Sequence, residues 1–189
     1  MDVKSFILGL QVGSQSAGGG GGSGESGGST EGLISYEDMA TGKTADVINL
    51  QNATYVTDYA FFYCNGIKEV SMPKVTQVKS YAFGNCNFLK NPGFSEGLKT
   101  IGIYAYRYCI SLTAVTFPWT LQTIDQYAFQ NCTKLQTVTF KSKPSSLHAK
   151  AFGSCSNLIT INCPWAEGEV PDAPWGATNS TIVYNYTGG

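Results

Sequence analysis

The chain has little of what catalysis uses. A single histidine, His148, occurs in 189 residues, inside Ser145-Ser146-Leu147-His148-Ala149-Lys150 and beside no recognisable nucleophile or carboxylate phrase. A lone loop histidine is ordinarily a surface residue and not a base, so no catalytic residue is assigned and the chain is read as non-enzymatic. Neither a CxxC pair nor a second histidine supplies a zinc set, so no metal site and no cofactor are expected. Charge is scarce as well. Only 13% of residues are charged, and 12 basic residues against 13 acidic ones leave no positive field to neutralise phosphates, which argues against nucleic acid as a partner. No apolar run approaches the roughly 20 residues that cross a bilayer, so no membrane span is expected. A glycine-rich stretch near the start lacks the lysine and the strand-to-helix setting of a phosphate loop. The chain is rich instead in rings, with 11 tyrosines, 10 phenylalanines and three tryptophans.

Those rings are periodic. One phrase recurs as Ala60-Phe61-Phe62-Tyr63-Cys64, Ala82-Phe83-Gly84-Asn85-Cys86, Ala105-Tyr106-Arg107-Tyr108-Cys109, Ala128-Phe129-Gln130-Asn131-Cys132 and Ala151-Phe152-Gly153-Ser154-Cys155, with alanines 22, 23, 23 and 23 residues apart. That is the length of one turn of a leucine-rich solenoid, shorter than a helical repeat. In phase with it run Ile67-x-x-Val70-x-Met72, Leu89-x-x-Pro92-x-Phe94, Leu112-x-x-Val115-x-Phe117, Leu135-x-x-Val138-x-Phe140 and Leu158-x-x-Ile161-x-Cys163. The alternation at the end of each phrase predicts a short strand, with Val138 and Phe140 inward and Thr137 and Thr139 outward. A third apolar slot, at Val56, Val78, Ile101, Ile124 and Leu147, marks the return leg. The expected fold is therefore a solenoid of stacked 22–23-residue turns with a parallel sheet on one side. No turn can bury its own apolar face, and stacking supplies the cover.

Phrases such as Leu121-Gln122-Thr123-Ile124-Asp125-Gln126-Tyr127-Ala128-Phe129-Gln130-Asn131-Cys132-Thr133-Lys134-Leu135 resemble the BspA-like class of leucine-rich repeats, common in bacterial surface proteins, gut-bacterial genomes and their phages. The resemblance covers residues 48–165 and implies adhesion and binding without one fixed ligand. Three residues depart from the pattern: Pro92 in a strand slot, Tyr106 for the repeat phenylalanine and Cys163 for the strand aromatic. Proline cannot donate to a ladder, so the second strand should be irregular.

The ends read differently. Ile48-Asn49-Leu50 has the phase of a first strand, covered by an N-terminal cap over residues 31–47. Residues 166–189 read as a degenerate closing turn, because Trp175 falls 23 residues after Phe152 and Ile182-Val183-Tyr184-Asn185-Tyr186 alternates. Residues 17–30 have the composition of a flexible tether. In residues 1–16, Val3, Phe6, Ile7 and Leu10 fall on one helical stripe, too short to be stable alone. This segment reads first as a docking peptide, with a frayed tail and a secretory signal as alternatives. Its opening, Met1-Asp2-Val3-Lys4-Ser5-Phe6-Ile7-Leu8-Gly9, is similar to the starts of small gut-phage and prophage proteins.

Five of the six cysteines are locked to the repeat, which predicts a column of free core thiols. Two outward features remain for function. Tyr59, Tyr81, Tyr104 and Tyr127 precede the repeat alanines and would form an aromatic ladder. The polar side of the sheet offers Thr116, Thr137 and Thr139. Either row could be plain surface. The leading expectation is a binding or adhesion module for a host protein or glycan on a cell surface, anchored by its N-terminus to a phage virion or bacterial surface assembly. A structural decoration protein of such an assembly is the alternative, and a secreted bacterial adhesin a more distant one.

Overall fold

The computed structural model describes residues 46–188. Its strands, in chain order, are β1 (Val47–Asn49), β2 (Tyr55–Val56), β3 (Glu69–Ser71), β4 (Gln77–Val78), β5 (Thr100–Ile101), β6 (Ala114–Phe117), β7 (Thr123–Ile124), β8 (Thr137–Phe140), β9 (Ser146–Leu147), β10 (Thr160–Asn162) and β11 (Thr181–Val183). There is no helix among the described residues. All pairing is parallel, between equivalent positions of successive turns: Val115 pairs with Val138, Val138 with Ile161, and Ile161 with Ile182.

The solenoid has parallel ladders on two sides, not one. The return legs form an unbroken five-stranded sheet, β2-β4-β5-β7-β9, made of two-residue strands. The longer strands form a sheet that is interrupted, with β1-β3 as one piece and β6-β8-β10-β11 as the other. The interruption lies at Pro92, as its missing N–H requires. Only a single Glu69–Asn91 bridge remains, with the Val70 N–H donating to Asn91 O at 3.1 Å. Gly93 follows at φ 66°, where a Cβ would lie 1.7 Å from the Val70 carbonyl oxygen, so this position admits only glycine. Phe94 nevertheless keeps its slot and stacks on Phe117 at 5.6 Å.

Columns of identical slots fill the core. Phe61, Phe83, Tyr106, Phe129 and Phe152 are all buried. Successive rings in this column stack at 5.1, 5.3, 5.2 and 5.6 Å. The arc that carries them is itself laddered: the Phe83 N–H donates to Ala105 O at 2.8 Å and the Tyr106 N–H to Ala128 O at 2.8 Å. Beside the rings runs the cysteine column. All six cysteines are buried and none forms a disulfide. The thiols of Cys86, Cys109, Cys132 and Cys155 donate to the carbonyls of Phe61, Phe83, Tyr106 and Phe129, at 3.0 to 3.2 Å. Burial pushes the Cys64 thiol up to about 12 and those of Cys86, Cys109 and Cys132 well above their ordinary value. A raised thiol is a poorer source of thiolate, so burial holds these four sulfurs back from reaction.

At the far end the Phe152 N–H donates to Trp175 O at 2.9 Å, so the tryptophan segment occupies the next place in the arc ladder. Trp175 is fully buried and meets Trp165 edge-on at 6.2 Å. Strand β11 ends at Val183, earlier than the alternation to Tyr186 predicts, because Asn185 turns into the left-handed region at φ 54°. At the other end β1 begins at Val47, one residue before the expected start.

Candidate ligand-binding surface

Register sets the outward face of the longer sheet. Ala114, Thr137, Thr160 and Thr181 fall in one row, and Thr116, Thr139, Asn162 and Val183 in the next. Their inward neighbours Val115, Val138 and Ile161 are buried, so the pleat forces the hydroxyls outward. Within the second row neighbours are linked across strands: the Asn162 amide donates to Thr139 Oγ1 at 3.1 Å. That bond uses a lone pair and leaves the Thr139 hydroxyl hydrogen directed elsewhere.

Tyr59, Tyr81, Tyr104 and Tyr127 do form a ladder, with centroids 4.8, 4.8 and 5.1 Å apart and planes inclined by 5 to 27°. All four are half-buried and sit at φ 56–58°. Their faces are turned to one another. Arg107 covers the Tyr104 and Tyr108 rings at 5.1 and 4.7 Å, and Lys150 lies 5.8 Å from Tyr127. The interior rings of this stack therefore present edges and hydroxyls outward, with no free face. Partial burial, then the neighbouring Tyr104 and Tyr59, raise the Tyr81 hydroxyl above its ordinary value against the lowering influence of Arg107.

His148 is engaged within its own loop. Its Nδ1 accepts the Lys150 N–H at 3.1 Å, which ties the ring to its own loop. Burial raises the Asp125 carboxyl, and His148 partly offsets this. Among the described residues no cluster of His, Cys, Asp and Glu could hold a metal, and no helix is long and apolar enough to cross a membrane. Val3, Phe6, Ile7 and Leu10 lie outside the described residues.

Sequence reasoning passed over Trp119. Lys74, Glu96, Trp119, Ser142 and Trp165 each stand 14 residues after the alanine of their repeat. Trp165 is 4% exposed because Phe140 and Trp175 enclose it, whereas Trp119, in the same slot, is 67% exposed. Spacing carried no signal to separate them. Beside Trp119 a groove of about 630 Å³ runs over Thr116, Thr139 and Lys141 to Asn185 and Tyr186. A second depression, of about 770 Å³, lies over the Pro92–Gly93 interruption.

The repeat geometry has a counterpart in known sequences. The family model for the BspA type leucine rich repeat region, in six copies, matches residues 40–159, more than half of the chain. The chain belongs to the BspA-type leucine-rich repeat family. No curated protein matches it. Among solved structures, this BspA-type chain is similar to a leucine rich repeat protein of T. pallidum, with 22% identity, a TM-score of 0.60 and coverage of 74% of this chain and 69% of that one. It is also similar to a leucine rich cell surface protein of Faecalibacterium prausnitzii, with 22% identity, a TM-score of 0.59 and coverage of 77% of this chain but 36% of that one. The pneumococcal vaccine antigen PcpA matches at 18% identity and a TM-score of 0.58, over 64% of this chain and 30% of the antigen. At these identities the likeness is one of fold. The BspA-type chain spans only about a third of the latter two proteins.

Proposed function

We propose that this BspA-type solenoid is a non-enzymatic recognition module that presents its repeat surface to a protein or glycan on a cell surface. The observation that carries this reading is the pair of outward rows on β6, β8 and β10. Equivalent side chains such as Thr116, Thr139 and Asn162 repeat at the strand spacing of about 4.8 Å on a frame whose inner side is fully packed. A rigid, regularly spaced surface binds without an ordering cost, which is what a recognition module needs. The family membership and the cell-surface character of one structural neighbour agree with it. The segment with Val3, Phe6, Ile7 and Leu10 would hold the module to a phage virion or bacterial surface assembly through the tether at residues 17–30.

The test uses the full chain against arrays of cell-surface proteins and glycans. Replacing Thr116, Thr137 and Thr139 together by valine, which keeps the β-branched shape and removes the hydroxyls, should weaken any hit by about tenfold or more, while the melting temperature holds. Unchanged affinity would remove the sheet face and leave the tyrosine row as the next place to alter. For the anchor, deletion of residues 1–29 should leave the melting temperature in place and abolish attachment to the parent assembly. Attachment that survives the deletion would overturn that part of the reading.

A further inference from the structure

Trp119 is the most exposed of the large hydrophobic side chains, at 67%, and no ring contact shields it among the described residues. Its backbone is nonetheless held firmly. The Trp119 N–H donates to Glu96 Oε2 at 3.3 Å, and its carbonyl accepts the Ser142 hydroxyl at 2.7 Å. The next residue is tied down too, with the one hydroxyl proton of Thr120 between the carbonyls of Glu96 and Leu98, which lie 2.6 and 2.8 Å from its Oγ1. The fixed backbone spares a ligand the cost of ordering the chain here and leaves only the side-chain torsions of the ring to settle.

What surrounds the ring narrows the ligand. The groove beside Trp119 is lined by Thr116, Thr139, Asn185 and Tyr186, residues that carry hydroxyls, an amide and a ring. The far wall is fixed, since the Asn185 N–H donates to Trp165 O at 3.0 Å and the Tyr186 N–H to Cys163 O at 2.9 Å. The one charged lining side chain is Lys141, and its ammonium is already paired with Glu96. Among the described residues that line the groove, no unpaired charge is left to select an anionic sugar or a charged peptide. One projecting ring is also far smaller than the roughly 800 Å² per partner that a stable protein interface buries. A neutral pyranose fits both facts, since it offers a C–H face to an aromatic ring and hydroxyls in its plane to threonine and asparagine side chains. The tyrosine stack does not compete for this role, because the faces of its interior rings are turned to one another.

We infer that the groove between Trp119 and Tyr186 is a subsite for a neutral pyranose of a glycan, stacked on Trp119 and oriented by Thr116, Thr139 and Asn185. This deepens the recognition reading and rests on it. The experiment titrates the full chain with chitotriose, cellotetraose, maltotetraose and mannotriose, followed by tryptophan fluorescence. Trp165 and Trp175 are buried, so acrylamide quenching reports on Trp119 alone. At least one of these sugars should protect Trp119 from the quencher. Trp119→Ala, read by titration calorimetry because it lacks the reporter, should then lower the affinity for that sugar by about tenfold or more, with Trp119→Phe recovering part of the loss and both variants keeping the wild-type melting temperature. Protection lost in Asn185→Ala as well would fix the polar wall. If no sugar of the set protects Trp119, or if Trp119→Ala binds one as tightly as the wild type, the inference is overturned. A chain that fails with sugars but captures a cell-surface protein loses the subsite and keeps its recognition role, whereas one that binds neither loses both.

Discussion

Two aromatic columns run the length of this solenoid at almost the same pitch. The inner one, Phe61 to Phe152, has centroids 5.1 to 5.6 Å apart, and the outer one, Tyr59 to Tyr127, has them 4.8 to 5.1 Å apart. Their positions lie two residues apart in each repeat, on either side of the repeat alanine, and both columns stack face to face. What differs is the third side of each ring. The inner rings meet the cysteine column and the strand aromatics and are sealed from water, while the outer rings show their edges to solvent. The inner column thus resembles a domain core, and the outer one a strap that clamps successive turns. The strap also sits at positive φ, which is unfavourable by roughly 1 to 2 kcal/mol per residue for a side chain other than glycine or asparagine. The stacking and the arc hydrogen bonds must outweigh that strain.

The contrast is sharpest for the thiols that line the inner column. Cys86, Cys109 and Cys132 should react with a thiol reagent only through global opening. With an unfolding free energy of about 5 kcal/mol, labelling would be slower than in denaturant by roughly several thousandfold. Fast native labelling of these three would break the distinction between core and strap. Next in size, Phe129→Ala removes a fully buried ring and should cost about 3 to 5 kcal/mol in denaturant unfolding. A cost no larger than that of an outer tyrosine would make the two columns equivalent.

In the strap the effects shrink. Tyr104→Ala should cost about 1 to 2 kcal/mol, from the lost ring pairs and partial burial. Tyr104→Gly should cost less than Tyr104→Ala by up to about 1 kcal/mol, because glycine carries no penalty at φ 56°. If alanine proves the better residue there, backbone strain is not part of the outer column's character. The smallest effect falls back in the core. Tyr106 places a hydroxyl in a phenylalanine slot, where it is buried without a hydrogen-bond partner among the described residues. Tyr106→Phe should raise stability by about 1 kcal/mol in the same unfolding experiment, since it removes a desolvated polar group and leaves the ring. A loss of stability would mean that the hydroxyl is better satisfied than its surroundings indicate.

Much of this was legible before any coordinates. The slot pattern of Ala82-Phe83 and Cys86 placed ring, alanine and thiol in the core, and Pro92 located the break in the sheet. The return leg was recognised as apolar, yet its pairing into a continuous second sheet was not, because a two-residue strand has no alternation to read. The tyrosine ladder was expected, but not that its faces are consumed, since spacing reports adjacency and says nothing of ring orientation. The alternation from Ile182 to Tyr186 suggested a longer closing strand, which the turn at Asn185 cuts short.

By itself the amino-acid sequence determined the period, the inward slots and the outward threonines, because periodicity and burial are properties of one turn repeated. Tertiary structure alone decided the fates of Trp119 and Trp165. The two share a repeat position, and local propensity treats them alike. Trp165 lies where the terminal turn folds Trp175 over it and seals it, whereas Trp119 lies where the next turn offers only Ser142 at the same position, bound to its carbonyl, and its ring stays in water. Exposure depends on what the neighbouring turn supplies, and that is settled only when the turns are stacked.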